Sequence, residues 1–165
     1  MVTFNYNLKI SNMGLFSFIK NAGKKIFGNR ENDAAPEEKQ TLKASALLQY
    51  VKGLGLPYQN IKISLTGDDV VLEGEVSSQA DAEKIALAVG NVEGVDTVDN
   101  RMRVTTPAPQ SQFHTVVEGD WLSKIAKKYY GDETKYGVIF EANKPMLKDP
   151  NEIYPGQVLR IPALS

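Results

Sequence analysis

Phe113-His-Thr-Val-Val-Glu-Gly-Asp-Trp-Leu-Ser-Lys-Ile-Ala126 carries the punctuation of a small mixed domain in one short stretch. Thr115-Val-Val is a β-branched run that predicts a strand. Asp120 predicts the cap of a helix from Leu122 to Tyr129. Gly131-Asp132 then reads as a turn and Tyr136 to Asn143 as a second helix. Ile153-Tyr-Pro-Gly-Gln-Val-Leu-Arg-Ile-Pro162 supplies the returning strand, Val158 to Pro162. The order is strand, helix, helix, strand.

Working back toward the N-terminus, Thr105-Thr-Pro-Ala-Pro-Gln-Ser111 is a short stiff linker, taken as 106–112. Before it stands a second unit, 36–105. Pro36-Glu-Glu suits a helix start, where a missing N–H costs nothing and acids meet the positive dipole end. Leu42, Ala46, Leu47, Tyr50, Val51 and Leu54 form one helical face, stopped by Gly53, Gly55 and Pro57. Ile61 to Leu65 and Val70 to Val76 are strand-like, and Thr66-Gly-Asp-Asp69 is hairpin chemistry. Ser77 is the expected cap of a helix from Gln79 to Val89, ended by Gly90, and a last strand runs Val95 to Val104. In front, residues 13–35 hold Leu15, Phe16, Phe18, Ile19, Ala22, Ile26 and Phe27 near helical spacing with Lys20, Lys24 and Lys25 between them. This predicts a short amphipathic helix with its apolar face on the next domain, then a loop. A membrane surface is the other place such a helix would lie.

The C-terminal unit, 113–163, resembles a LysM domain through its Gly-Asp-x-Leu and Pro-Gly-Gln phrases, with Trp121 where that family usually has threonine. Residues 36–105 resemble a BON domain through Val71-Leu-Glu-Gly-Glu-Val76 and Val92-Glu-Gly-Val-Asp-Thr-Val-Asp-Asn100. The expected fold class is therefore α+β: BON (αββαβ) followed by LysM (βααβ), with a short N-terminal helix.

The 165 residues include no cysteine and carry a net charge of −1, which fits a soluble protein of a reducing compartment. No run approaches a membrane span, and neither Met1 nor Met13 opens a secretory pattern. Met13-Gly-Leu-Phe looks like a natural start, so residues 1–12 are expected to be an upstream extension. Residues 1–30 carry five Lys/Arg and no acid, whereas residues 31–100 carry five Lys and thirteen Asp/Glu. The basic front is thus expected to dock on the acidic middle, or on an acidic surface elsewhere. No basic stripe interleaved with aromatics marks a nucleic-acid partner.

Catalysis finds little support. His114 is the single histidine and is read as a surface or domain-edge residue, and zinc or thiol chemistry is excluded. Glu73 and Glu75 share a strand face, the solvated one, while Val70, Leu72, Gly74 and Val76 take the other. Two binding sites remain. The resemblance to LysM implies a groove for N-acetylglucosamine polymers between Gly119-Asp120-Trp121-Leu122 and the loop carrying Ile153, Tyr154, Pro155 and Gly156. There Trp121 either stacks on a sugar or packs on Tyr154 or the neighbouring domain.

The second site is the helix end Ala88-Val-Gly-Asn-Val-Glu-Gly-Val95. Its last carbonyls have no intrahelical partner and lie at the negative dipole end. Neutral carbonyls suit a weakly hydrated monovalent cation; Ca²⁺ or Mg²⁺ would call for a carboxylate loop, which the sequence lacks. An ordinary glycine stop with water on its carbonyls would have the same spacing. From Met13 onward the chain is similar to the bacterial BON–LysM potassium-binding proteins, through Met13-Gly-Leu-Phe, Ala88-Val-Gly-Asn91, Phe140-Glu-Ala-Asn-Lys-Pro-Met-Leu-Lys148 and Ile153–Pro162. That resemblance implies a cytoplasmic K⁺ sensor that compacts on binding; a monomer is expected, with Rb⁺ and Cs⁺ as substitutes for K⁺. It also implies a cage from the backbone carbonyls of Ile19, Ala22, Gly90, Val92 and Val95. A peptidoglycan-binding or envelope-stress module is the alternative.

Overall fold

The computed structural model describes residues 15–27 and 35–165. The expected extension, residues 1–12, and most of the expected loop lie outside them.

Helix α1 (Pro36–Leu54) begins as expected at Pro36, with Glu37 and Glu38 in its first turn, and ends at Gly55, whose N–H donates to the Lys52 carbonyl at 3.3 Å. Strands β2 (Gln59–Thr66) and β3 (Asp69–Ser78) form the hairpin across Gly67-Asp68. Val70, Leu72 and Val76 are buried from one face of β3, and Glu73 and Glu75 lie on the other. Helix α2 (Gln79–Gly90) is capped by Ser78, one residue past the expected Ser77; its hydroxyl accepts the Asp81 N–H at 3.1 Å.

The expected strand from Val95 to Val104 is broken in two. Strand β4 (Thr97–Asn100) pairs parallel with Asp69–Leu72, and β5 (Arg103–Thr106) pairs parallel with Glu75–Ser78. Between them Met102 turns its side chain into the core, and Asn100 Oδ1 takes its N–H at 3.1 Å.

The expected N-terminal helix is a strand. Leu15–Ser17 forms β1, antiparallel to β4, so the sheet runs β1-β4-β3-β2 with β5 beyond β4 along β3. Leu15, Ser17 and Ile19 are exposed while Phe16 and Phe18 are buried, the period-two alternation of a half-buried strand. A short isolated helix is marginal in water, whereas the open edge of β4 offers unpaired backbone groups.

The C-terminal unit follows the expected order. Strand β6 (Gln112–Thr115) pairs antiparallel with β7 (Val158–Ile161), and α3 (Leu122–Tyr130) and α4 (Tyr136–Ala142) cover them. Ile125, Ala126, Ile139, Leu147, Leu159 and Ile161 build its core. The first strand ends at Thr115, short of the expected Val117.

The two cores touch. Val158 belongs to the larger one, and the Phe16 and Phe113 rings meet edge-on with centroids 5.1 Å apart. Beneath them Glu83, 1% exposed, takes a 2.7 Å ion pair from Arg160, whose side chain is 8% exposed. Gln79 Nε2 and the Ser111 N–H also donate to Glu83, and Arg160 donates to the Ala142 carbonyl and Ser111 Oγ. A buried ion pair offsets its desolvation only when its remaining polar atoms are also satisfied, as they are here.

Candidate functional site

Two segments far apart in sequence run side by side at the C-terminal end of α2. Phe18 N–H donates to the Asp96 carbonyl at 2.8 Å, carrying the β1 pairing one residue further. Gly94 N–H then donates to Lys20 at 2.7 Å, Lys24 N–H to Asn91 at 2.9 Å and Glu93 N–H to Lys24 at 2.9 Å. The chain turns between these contacts at Ile19-Lys-Asn-Ala22, where Ala22 N–H donates to Ile19 at 3.0 Å.

Two glycines make the approach possible. The ring of Phe18 lies against Gly90, and a Cβ there would overlap its Cζ and both Cε atoms. Gly23 takes φ 117° and sits on Asn91; a Cβ would overlap the carbonyl oxygen and lie 2.8 Å from its carbon. Gly90, read from the sequence as a helix stop, is the last helical residue, and a close approach to Phe18 accounts for it.

The approach leaves acceptors without donors. Helix α2 ends with no basic residue in its last turn; its Leu87 and Val89 carbonyls take the Asn91 N–H, and Val89 also takes that of Val92 at 3.2 Å. The Val92 carbonyl accepts Val95 N–H at 3.2 Å, and that of Ile19 accepts Ala22. Among the described residues, no backbone N–H donates to the carbonyls of Ala22, Ala88, Gly90 or Val95. Ala88, Gly90, Val92 and Val95 are buried. A buried carbonyl without a donor costs about 1–3 kcal/mol, so this junction favours a species that accepts carbonyl coordination.

Two of the flanking lysines pair with acids. Lys20 pairs with Asp68, which Lys43 also reaches at 3.4 Å, and Lys25 lies 3.9 Å from Glu93. The Lys20 hydrogen bond holds the Asp68 carboxyl below its ordinary range against some burial, and the same bond raises Lys20. Lys24 stands over the Tyr50 ring at 4.8 Å. The expected docking of the basic front on the acidic middle is seen at Lys20 and Lys25. No group of three or more His, Cys, Asp or Glu side chains is placed to hold a metal among the described residues.

Asn91 is the residue that sequence reasoning missed. Its carboxamide reaches β7, where Nδ2 donates to the Val158 carbonyl at 2.8 Å and Oδ1 accepts the Val158 N–H at 2.9 Å. In sequence it is one more polar residue in a turn, and its partner lies 67 positions away.

The residues read as a glycan groove are divided. Trp121 is 58% exposed, with Lys124 Nζ over its ring at 5.2 Å. It also holds the N-cap position expected of Asp120, with no side-chain cap. Asp120 instead clips its own loop, Oδ2 taking the Val117 N–H at 3.0 Å and meeting His114 Nε2 at 2.8 Å. Burial works against the Asp120 charge, but those bonds hold its carboxyl below the usual range. His114 is buried, not superficial, and its Nδ1 meets the Tyr129 hydroxyl at 3.0 Å.

The opposite loop faces the other way. Tyr154 directs its hydroxyl to the Asn91 carbonyl at 3.4 Å, and burial, with Tyr50 nearby, pushes its pKa up to about 12. Gly156 lies against Ala22 and Ile19; a Cβ on it would come within 2.8 Å of the Ala22 Cβ. Trp121 and Leu122 therefore front solvent and the LysM core respectively, while Tyr154 and Gly156 front the junction with the N-terminal segment.

The BON domain family matches residues 39–106 and the LysM domain family residues 114–162. The potassium binding protein Kbp of Escherichia coli O6:H1 is 43% identical over 155 residues, spanning 91% of this chain and 99% of that protein. An uncharacterized protein of Deinococcus radiodurans is 37% identical over 133 residues, 72% of this chain and 51% of the relative. The uncharacterized protein YqbP of Bacillus subtilis is 37% identical over 71 residues, 38% of this chain and 32% of its own length.

Proposed function

The chain belongs to the BON–LysM family that includes the E. coli potassium binding protein Kbp, and from that premise we propose that it binds K⁺ between residues 19–24 and 88–95. The observation that carries this reading is that, among the described residues, no backbone N–H reaches the carbonyls of the buried Gly90 and Val95 or of the half-buried Ala22 beside them. The cage is proposed from Ile19, Ala22, Gly90, Val92 and Val95. Ile19 and Val92 would share a lone pair with the ion beyond the N–H each already accepts.

Carbonyl oxygens replace the hydration shell of a weakly hydrated monovalent ion, so K⁺, Rb⁺ and Cs⁺ fit where Na⁺, Mg²⁺ and Ca²⁺ fit poorly. The C-terminal end of α2 adds its negative dipole, and the pairing of Lys20 and Lys25 with acids reduces competing positive charge. The protein is a binding protein, monomeric and cytoplasmic in this reading. No helix among the described residues is long and apolar enough to cross a membrane.

Because the site straddles the N-terminal segment and α2, it is complete only when the segment is docked. K⁺ then favours the docked, compact chain by its differential affinity for that state. Free K⁺ at a hundred times Kd would add about 2.7 kcal/mol, or roughly 5–10 °C in Tm for a chain of this size. The test is Tm across the alkali-metal chlorides at fixed ionic strength. K⁺, Rb⁺ and Cs⁺ are expected to raise it and Na⁺ to raise it much less; equal shifts with Na⁺ and K⁺ refute the reading.

A peptidoglycan-binding role is the second reading, and the exposed indole of Trp121 favours it. Against it, the facing loop at Tyr154 and Gly156 is engaged by Asn91, Ile19 and Ala22. Retention on purified peptidoglycan that Trp121→Ala abolishes would support it.

A further inference from the structure

We propose that Asn91 is the positioning residue that couples the ion site to the LysM domain, an inference that rests on the K⁺ reading above. Asn91 is bonded to all three described parts of the fold: α2, the N-terminal segment and the LysM domain. Its N–H closes α2 on Leu87 at 2.9 Å, and its carbonyl accepts Lys24 N–H at 2.9 Å and the Tyr154 hydroxyl at 3.4 Å. Its carboxamide pairs both backbone groups of Val158 in β7.

The pairing has a counterpart. Residues 158 and 160 of β7 turn their backbone groups away from β6, and each is met by an asparagine at a helix C-cap. Asn143, capping α4, accepts the Arg160 N–H at 2.8 Å and donates to the Arg160 carbonyl at 3.0 Å. Asn91, capping α2, does the same for Val158. The hydrogen bonds of Asn143 stay within the LysM domain. Asn91 acts across the interface from inside that turn, so its carboxamide is aimed at Val158 only while residues 91–95 hold their place against Lys20 and Lys24.

Release of the N-terminal segment removes the bonds from Lys24 to Asn91, Glu93 to Lys24 and Gly94 to Lys20, and with them the restraint on that aim. An ion that secures the segment therefore secures β7. By reciprocity, a docked LysM domain tightens ion binding by the same factor.

The test is amide hydrogen exchange of the full chain in KCl and in NaCl at equal ionic strength. In the wild type, K⁺ is expected to slow exchange at Lys24, Glu93 and Gly94 and, by about fivefold or more, at Val158 and its β7 neighbours. In Asn91→Ala the first three keep their K⁺ dependence, and the K⁺/Na⁺ ratio at β7 falls to near one. A residue that only holds the domains together would speed β7 exchange equally in both salts; an unchanged ratio in Asn91→Ala overturns the proposal. Asn91→Asp, which keeps an acceptor for the Val158 N–H and loses the donor, serves if the alanine variant does not fold. Wild-type protection at Lys24, Glu93 and Gly94 without protection at β7 overturns the coupling alone. No K⁺ dependence anywhere in the wild type overturns the ion reading itself.

Discussion

Gly90→Ala isolates the docking of the N-terminal segment from the stability of the BON core. In most helices this substitution stabilises by about 1 kcal/mol. Here the new methyl would occupy the space of the Phe18 Cζ and Cε atoms, so Phe18 must leave its buried position. Exposing the ring costs about 1.5–3 kcal/mol, which exceeds the helical gain. Phe18 is one member of the cluster that Leu47, Val51, Val70, Leu72, Ile85 and Val89 also build, and those six stay in it when the ring leaves. The variant should therefore retain its fold while its docked fraction falls, and the apparent Kd for K⁺ rises by the inverse of that fraction. A net loss of about 0.5–2 kcal/mol corresponds to roughly 2- to 30-fold weaker binding. Isothermal titration with KCl measures Kd, and Tm in NaCl reports the core. Phe18→Leu removes the atoms that collide, so the double variant should bind more tightly than Gly90→Ala alone. K⁺ binding by Gly90→Ala at wild-type affinity, with an unchanged Tm in NaCl, would refute this.

Further tests address the same junction. Gly23→Ala, strained by its φ of 117° and by the Asn91 carbonyl, should abolish the K⁺-dependent rise in Tm while leaving urea unfolding in NaCl nearly unchanged. Glu83→Ala leaves Arg160 buried without its partner; a loss of about 3–5 kcal/mol is expected by urea denaturation. Asp68 has its carboxyl held down by Lys20, so its contribution is complete above the ordinary carboxylate pKa near 4 and fades as pH falls through its lower folded value. The acid limb of docking, followed by the K⁺-dependent Tm between about pH 5 and 2, should be steep in the wild type and flattened in Asp68→Asn. Trp121→Ala, at an exposed site, should change stability by less than about 0.5 kcal/mol and leave the K⁺ response intact.

Most of the fold was legible because its signals are local. Pro36 and Gly55 bracket α1, Gly67-Asp68 makes the hairpin, and the C-terminal unit can be read almost element by element. The N-terminal segment was misread for a physical reason. Leu15, Phe18 and Ile19 satisfy helical spacing, Phe16 and Phe18 satisfy strand spacing, and the deciding factor, the edge of β4, lies some 80 residues away. The charge contrast between front and middle survived that error, since it depends on attraction and not on secondary structure; Lys20 with Asp68 is its outcome. Gly90 was recognisable as unusual, but its reason, the Phe18 ring, was not. Asn91 gave no signal at all, because a carboxamide bonding to a distant backbone leaves no periodicity or spacing behind.

The outer edge of β7 carries a last implication. A strand edge finished by side chains invites no template for strand addition, which guards against molecules adding to one another through their sheets. The guard is in two halves of different permanence. The Arg160 half travels with the LysM domain through Asn143, whereas the Val158 half is on loan from the BON domain through Asn91. When the domains part, only one residue's worth of edge is bared, too little to seed a ladder. In the proposed opening, β7 would therefore stay a poor template for a second copy.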